Sequence, residues 1–405
     1  MSRSFVAFVK ALLCFSILIP SQALAGSFLI YNQDAKANGM GLAVVSSIDN
    51  PSAIFYNPAL LPAQPGLGIS MGDAIFMPER RFEDSTTGIR TQAKQTTHHV
   101  PNFFTNYTNG PLALGVGVYS PFGLSSEWPQ NWTGRYTSTF GEIKTVFINP
   151  TVAYKLNETF SVGAGLSYVD SSLTLKQAMN LFPFPDGVAK LSGGGDGFGY
   201  NVGASIKLPS DYMLSFAYRS PVEIKYNGHA NFYTDSPFKI FLPDGNVSTK
   251  LTLPYIFMAG LSKQIGKLTL ETDFIYTGWS AVKELTVEYD NGMPAQTLRK
   301  DWHDSPSIAI GANYRWNNFL ETRLGYMYDW TPVPTRTLTP DLPDSSKHVI
   351  TAGLGLNKGS FKMDVAYQAT VYERADSRNN IVGAPRGIYN GFAHVVLVNL
   401  MYMIK

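Results

Sequence analysis

The sequence predicts an all-β protein: a fourteen-stranded antiparallel transmembrane β-barrel with an N-terminal plug inside its lumen. Three observations predict this fold. Apolar and polar residues alternate with a period of two along most of the chain, and short turns alternate with long loops. The chain is also rich in aromatic residues, with 22 Tyr, 25 Phe and 6 Trp. Bacterial outer-membrane barrels combine these features.

The first 25 residues have the features of a secretory signal peptide. Arg3 and Lys10 lead into the apolar run from Ala11 to Ile19, and small residues follow at positions 23–25. We expect cleavage after position 25, which takes the formal net charge from +2 to zero. A neutral chain does not point to a nucleic-acid partner. The single cysteine, Cys14, lies in this leader, so the exported fold is held without disulfides.

The alternation is clear in the segment Phe361 to Tyr372. Phe361, Met363 and Val365 lie on one face of a predicted strand, and Lys362 and Asp364 lie on the other. Fourteen segments of this kind are predicted as strands, near residues 67–77, 99–107, 112–120, 145–155, 160–170, 197–208, 212–220, 251–263, 268–277, 305–316, 320–330, 348–357, 361–372 and 393–404.

The connections between these strands alternate in length. Six are tight turns such as 157–159 and 265–267, and seven are long loops such as 171–196 and 221–250. Fourteen up-and-down strands require this number of connections, with every long loop at one end. A soluble β-sandwich is the alternative, but it has no reason to collect its long loops at one end. The pattern therefore favours a barrel over residues 67–405, in the outer membrane of a Gram-negative bacterium.

Residues 26–66 show no strand alternation and form the predicted plug. Asn50-Pro51 and Asn57-Pro58 resemble helix starts, since Asn caps a first turn and Pro fits the first helical position. Helices this short are marginal in water unless other residues surround them. Many inward positions of the predicted strands are glycine, which leaves room for a chain segment packed against the wall or only relieves crowding in a twisted sheet. These positions are 115, 117, 163, 165, 199, 203, 311, 353 and 355.

Several motifs together resemble the FadL family of outer-membrane channels for long-chain fatty acids and hydrocarbons, which includes the TodX-like proteins. They are "SAIFYNPA" in the plug, "GVGVYSPFGLSSEWPQNWTGRY" after the third strand begins, and "GFGYNVGASIKL" further on. The resemblance covers essentially the whole exported chain. It implies passive uptake of hydrophobic ligands, with no enzymatic activity, metal, cofactor or energy-coupling partner.

Two site motifs follow. The resemblance places the hatch motif of the plug at Asn57, Pro58 and Ala59. The third predicted strand ends in "YSPFG", where Pro121 cannot donate a ladder hydrogen bond. The residues alone indicate that the strand stops. The resemblance implies more, namely an inward kink that opens a lateral gate in the wall at Ser120, Pro121, Phe122 and Gly123.

Ligand-binding candidates lie mainly in two long loops. Loop 171–196 is unusually apolar, which suits capture of an apolar ligand or packing between loops. The glycine-rich stretch 193–199 is predicted to be a hinge, and 221–250 is predicted to be the facing wall. Basic residues are candidates for a ligand carboxylate, although pairing with wall carboxylates is the alternative. The candidates are Leu175, Lys176, Met179, Leu181, Phe182, Phe184, Arg219, Phe238, Phe241 and Arg315.

The function predicted from these features is passive outer-membrane transport of hydrophobic compounds, with long-chain fatty acids first. Aromatic hydrocarbons are the alternative ligand class. A general porin for hydrophilic solutes is a second alternative, which a folded plug argues against, and a surface adhesin is a third. The predicted partners are the ligand and outer-membrane lipid, and the predicted assembly is a monomer. The scattered histidines show no metal-ligand spacing.

Overall fold

The computed structural model describes residues 28–404, so the predicted signal peptide lies outside the described residues. Two short α-helices, α1 (Ala35–Gly39) and α2 (Ala53–Tyr56), and a 3-10 helix (Pro58–Ala63) precede the first strand. No helix in this part of the chain is long and apolar enough to cross a membrane.

Twenty strands follow, and they form one antiparallel sheet. Their bounds are β1 Gly66–Asp84, β2 Arg90–Gln92, β3 His98–Asn109, β4 Leu112–Tyr119, β5 Gly123–Glu127, β6 Phe140–Lys155, β7 Phe160–Met179, β8 Gly187–Leu208, β9 Tyr212–Arg219, β10 Val222–Tyr233, β11 Gly245–Leu253, β12 Ile256–Ile265, β13 Leu268–Thr277, β14 Glu284–Tyr289, β15 Gln296–Arg299, β16 Ser305–Arg315, β17 Leu320–Asp329, β18 Lys347–Lys358, β19 Phe361–Asp376 and β20 Gly387–Ile404.

Fourteen of these strands close into a ring. The order is β1, β3, β4, β6, β7, β8, β9, β12, β13, β16, β17, β18, β19 and β20, and β20 pairs back with β1. They coincide with the fourteen predicted segments, so the predicted barrel is confirmed. A closed ring has no free sheet edge, which rules out the β-sandwich.

The remaining six strands extend the wall on the long-loop side. Two predicted loops are wrong as loops, because ring strands extend into one of them and additional strands occupy the other. β7 continues to Met179 and β8 begins at Gly187, so most of 171–196 is strand. β10 and β11 likewise occupy most of 221–250. The period-two pattern is hard to recognise here because both faces of these extensions carry polar residues.

The barrel has an apolar outer surface bordered by aromatic side chains. Large apolar residues such as Leu166 and Leu324 are exposed, as a lipid-facing wall requires. On the long-loop side, Tyr200, Tyr218 and Tyr255 form a row of adjacent rings with centroids 6.1 Å apart. Such rings mark the interface between the hydrocarbon core and the lipid head groups.

Residues 28–65 lie within the ring of strands. Their hydrogen bonds reach strands on opposite sides of the wall: Ala35 N donates to Asn399 Oδ1 at 2.8 Å, and Val44 N donates to Asp273 Oδ2 at 2.7 Å. Every residue from 28 to 62 except Ser47 and Asp49 is buried. Several inward glycines are needed for this packing, because a Cβ at Gly311 would lie 2.3 Å from Met40 O.

Candidate functional site

The wall has a break between its second and third strands. β4 pairs with both β3 and β6, whereas β5, which continues β4 after residues 120–122, pairs along its length only with β6. On the other side of the break, residues 98–102 of β3 pair with β1 along one edge, and along the edge that faces the break they pair with no strand of the described residues. Pro121 has no N–H to contribute to a ladder at this point. The backbone ladder between the second and third strands therefore has a gap in its hydrogen bonds beside Ser120 to Gly123, the residues predicted as a lateral gate.

The first described residues of the chain take the place beside the kink that β3 would occupy in a regular sheet. Ile30 N donates to Pro121 O at 2.7 Å, and Gly123 N donates to Phe28 O at 2.8 Å. The side chain of Gln33 donates to Ser120 O at 2.9 Å. The backbone of the kink is therefore hydrogen-bonded toward the lumen, which satisfies groups that the gap would otherwise leave unpaired.

A cluster of buried aromatic side chains lies behind the kink. The Phe28 ring contacts the Trp279 ring with centroids 4.8 Å apart, the Phe122 ring at 5.9 Å and the Trp302 ring at 5.8 Å. All four side chains are buried. They come from the N-terminal segment, from the kink, and from the segments just before β14 and just after β15. The cluster is thus a packed apolar surface next to the gap.

Arg219 is the charged group of this region. Its side chain is buried, Nη2 donates to Phe55 O at 3.2 Å, and the guanidinium carbon lies 5.1 Å from the Phe55 ring centroid and 5.4 Å from that of Tyr119. Nε and Nη1 have no partner in the described residues, and no carboxylate pairs with this group there. Tyr119 is the last residue of β4 before the kink. A cation without an acid therefore faces the lumen beside the gap.

The predicted hatch motif fastens the N-terminal segment to the wall. Asn57 Oδ1 accepts a hydrogen bond from Ala59 N at 3.1 Å, and Asn57 Nδ2 donates to Val45 O at 3.0 Å. Pro58 opens the 3-10 helix, and a Cβ added at Gly163 would lie 2.8 Å from Pro58 Cβ.

The prediction for the first Asn-Pro pair is wrong in detail. α2 begins at Ala53, two residues after the Pro, with Ser52 as its N-cap residue. Asn50 Oδ1 instead accepts hydrogen bonds from Ser52 N at 2.9 Å and from the Ser52 hydroxyl at 2.6 Å. An Asx turn therefore uses the side-chain oxygen that a helix cap would have used.

The pKa values of two acids in the N-terminal segment are shifted in opposite directions. Burial and the nearby Asp364 carboxylate raise the pKa of Asp34 to about 6. Partial desolvation inside the barrel opposes ionisation of Asp49, whose side chain is 45% exposed, but the Lys36 ammonium, 2.7 Å from Asp49 Oδ1, holds the pKa of Asp49 below its usual range. The ion pair between Lys36 and Asp49 therefore helps to hold two parts of the N-terminal segment together.

A cavity of about 390 Å³ opens at the long-loop end. Three of the predicted ligand-binding residues, Leu175, Lys176 and Met179, line it. Sequence analysis missed other apolar residues of its lining because each is isolated within a polar stretch. They are Leu242, Val287, Met293, Leu298 and Ile381.

The other predicted apolar residues lie at the tips of the outer loops. The Phe184 and Phe238 rings meet edge to face with centroids 5.8 Å apart. Phe182 and Phe241 are 85% and 71% exposed, and Leu181 is half-buried. Exposed rings of this kind are available to an apolar ligand arriving from outside.

Arg315 lies at the opposite end, where β16 enters a short turn. Its Nε is 3.2 Å from Glu321 Oε1, and the side chain is 57% exposed. It lines a separate cavity of about 280 Å³ together with Lys36 and Asp49. The structure therefore does not bring Arg315 together with Arg219. Residues 28–404 contain no cluster of three or more His, Cys, Asp or Glu side chains that could hold a metal ion.

A closed fourteen-stranded antiparallel barrel with an apolar outer surface is the fold of a bacterial outer-membrane protein. Residues 16–401 match the family described as outer membrane protein transport protein (OMPP1/FadL/TodX), and the chain belongs to this family. It is 26% identical over 390 residues to a long-chain fatty acid transport protein of Escherichia coli O6:H1, covering 86% of this chain and 87% of that protein.

Two solved structures share the fold. A FadL homologue of Pseudomonas aeruginosa superposes with a TM-score of 0.85 at 22% identity, covering 94% of this chain and 100% of that chain. The toluene transporter TodX of P. putida superposes with a TM-score of 0.74 at 16% identity, covering 94% and 99%. The chain is therefore an outer-membrane protein of a family of transporters for hydrophobic compounds, whose members are not enzymes.

Proposed function

We propose that this protein carries long-chain fatty acids passively across the outer membrane as a monomer. The ligand is captured by the apolar outer loops and the cavity of about 390 Å³. It then passes the N-terminal segment, which acts as a plug, and leaves through the lateral gap at Ser120 to Gly123 into the membrane lipid. The uptake needs no cofactor and no energy-coupling partner.

The observation that carries the choice of ligand is Arg219. A buried guanidinium without an acid partner is costly, and a carboxylate in the lumen would compensate it. The adjoining aromatic cluster around Phe28 offers an apolar surface to an acyl chain. Aromatic hydrocarbons are the second candidate, because the same cluster offers aromatic rings to an aromatic ligand. A general porin is disfavoured by a lumen filled with residues 28–65.

Replacing Arg219 with Met tests this choice, because Met keeps most of the packing and removes the charge. A hydrogen bond to a charged group contributes about 1.5–3 kcal/mol, so we expect on the order of ten- to a hundredfold weaker binding of a long-chain fatty acid. Binding of the methyl ester of that acid should change little. The measurement is equilibrium binding to the purified barrel.

Arg315→Met is the matched control, since this arginine is exposed and lies at the other end of the barrel. It should leave binding of both compounds unchanged. Unaltered binding of the acid by a folded Arg219→Met protein would contradict the assignment, as would an equal loss for acid and ester.

A further inference from the structure

The lipid-facing surface of β1 carries one acidic residue in the middle of an apolar stripe. Side chains alternate along this strand, and the buried Ala74 faces inward, so Asp73 faces outward. Its neighbours on the outward face are Ile69, Met71, Ile75 and Met77. The register with β20 places Ile69 opposite Tyr402 and Met77 opposite His394, so Asp73 lies midway along the apolar band.

Asp73 is paired with a histidine of the neighbouring strand. Its Oδ2 lies 2.6 Å from His99 Nδ1, and the two side chains are 20% and 39% exposed. The other carboxylate oxygen, Oδ1, has no hydrogen-bond partner in the described residues. Ionisable side chains on the lipid face of a barrel destabilise it and commonly mark functional positions.

This pair lies on the rim of the lateral gap. β3 and β4 are in register with Phe103 opposite Val118. Continued past the end of β4, the same register would place His99 opposite Phe122, at the centre of the kink. His99 therefore borders the gap on the β3 side. Asp73 lies on the same lipid-facing surface but on β1, one strand further from the gap.

A role limited to fastening β1 to β3 does not account for this position. The two strands are already paired from Gly66–Thr108 to Phe76–His98. Other outward histidines have phenol partners: His348 Nδ1 is 2.8 Å from Tyr326 Oη, and His394 Nδ1 is 2.6 Å from Tyr367 Oη. His348 Nε2 also lies 3.6 Å from Glu373 Oε1, whereas the contact between His99 and Asp73 is 2.6 Å long and borders the interrupted ladder.

We propose that the Asp73–His99 pair binds the carboxyl head group of a ligand in its protonated form as it leaves the gap, with the ligand O–H donating to Asp73 Oδ1, and this inference rests on the proposed transport of fatty acids. An acyl chain enters the hydrocarbon core readily, whereas its head group loses its hydrogen bonds with water there. The pair supplies polar partners at that depth. The chain extends into the lipid first, and the head group is held at the rim before it moves to the membrane interface.

The test replaces both residues together, because a single substitution would leave an unpaired ionisable group in the apolar band. We expect the Asp73→Leu/His99→Leu protein to take up a labelled long-chain fatty acid at least fivefold more slowly than wild type. Uptake of the methyl ester of the same acid should be unchanged. Rates are measured in cells with matched surface levels, and heat modifiability shows that the barrel is folded.

Two further variants control the comparison. Tyr326→Leu/His348→Leu removes a polar pair from the lipid face away from the gap and should leave both rates unchanged. Asp73→Asn/His99→Gln keeps hydrogen-bonding groups at the rim and should retain most of the uptake of the acid.

The outcomes separate this inference from the function on which it rests. If wild-type protein transports the acid and the double Leu protein transports it equally well, the rim assignment is wrong and the proposed function stands. An equal loss for acid and ester would show a structural role for the pair and would also overturn the inference. If wild-type protein does not transport the acid, the proposed function fails, and the inference fails with it.

Discussion

Asn57 connects three parts of the molecule through one amide. Its oxygen caps the 3-10 helix, its nitrogen holds the backbone of Val45, and its side chain lies against the wall at Gly203, where a Cβ would be 2.1 Å from Oδ1. Only the side chains of Asn and Gln carry an amide, which places an acceptor oxygen beside a donor nitrogen, and Gln is one methylene longer. This side chain therefore ties two parts of the N-terminal segment to each other and to the wall, in addition to the hydrogen bonds of Ala35 and Val44 that hold the segment in the lumen.

Replacing Asn57 with Ala should alter uptake without preventing assembly. The lost cap contributes about 1 kcal/mol, which is small for a barrel whose backbone is paired around the ring. It is large enough to shift a segment balanced between two arrangements, since 1.4 kcal/mol is about tenfold in population. The measurement is uptake of a labelled fatty acid by cells with matched surface levels of heat-modifiable protein.

Asn317→Ala is the matched control, because Asn317 Oδ1 accepts hydrogen bonds from Phe319 N and Leu320 N in a short turn outside the lumen. It should behave as wild type. An Asn57→Ala protein with wild-type rates would argue against a mobile plug, even though the fold would be unaffected.

At the scale of elements, the kink between β4 and β5 determines where the barrel wall lacks a continuous ladder of hydrogen bonds. Pro121 prevents a continuous ladder with β3, and the N-terminal residues hold the kink from inside. Replacing Pro121 with Ala restores a backbone N–H that could pair with β3. We expect the gap to narrow and fatty-acid uptake to fall while the barrel remains folded, as measured by the same uptake assay.

Pro294→Ala changes an exposed proline of an outer loop and serves as the control. It should leave uptake unchanged. Wild-type uptake by a folded Pro121→Ala protein would exclude the gap as the route of release.

The spanning strands could be predicted from the sequence because lipid requires a predominantly apolar face on each of them. The outer extensions could not, since water lies on both sides of the wall there. The glycine-rich stretch 193–199 shows the difference, because it was predicted as a hinge and lies inside β8. A Cβ at Gly195 would lie 2.3 Å from Lys225 O, so glycine is needed there for the close approach of β10.

The site was predictable only in part. The interruption at Pro121 and the cap at Asn57 could be predicted, because Pro has no N–H to donate and Asn accepts a hydrogen bond from the first turn of a helix. The lining of the outer cavity combines residues from several separate loops, so its composition depends on the closed ring. Asp73 and His99 lie on two different strands, and the period-two pattern of each strand shows only one polar residue on an apolar face. Their pairing depends on the register between the strands, so it could not be predicted.

For the whole molecule, the closed ring fixes which loops face outward. Cysteines introduced at Phe182 and Ile240, whose side chains are 85% and 78% exposed, should react with a membrane-impermeant thiol reagent on intact cells. Cysteines at Glu158 and Lys267, in two short turns, should react only after the outer membrane is permeabilised. The native Cys14 lies in the predicted leader and is not expected to interfere. Labelling of the short turns on intact cells would refute this orientation.

If the wall opens and closes as proposed, the hydrogen bonds between residues 28–30 and the kink make that change an exchange of partners. Pro121 O accepts and Gly123 N donates on the side that faces β3, so they bind either the N-terminal residues or, once the third strand is straight, β3. A broken backbone hydrogen bond in the hydrocarbon core costs several kcal/mol, whereas a substitution of one partner for another costs little. Strand exchange of this kind lets a rigid barrel change its wall without ever exposing bare backbone to lipid.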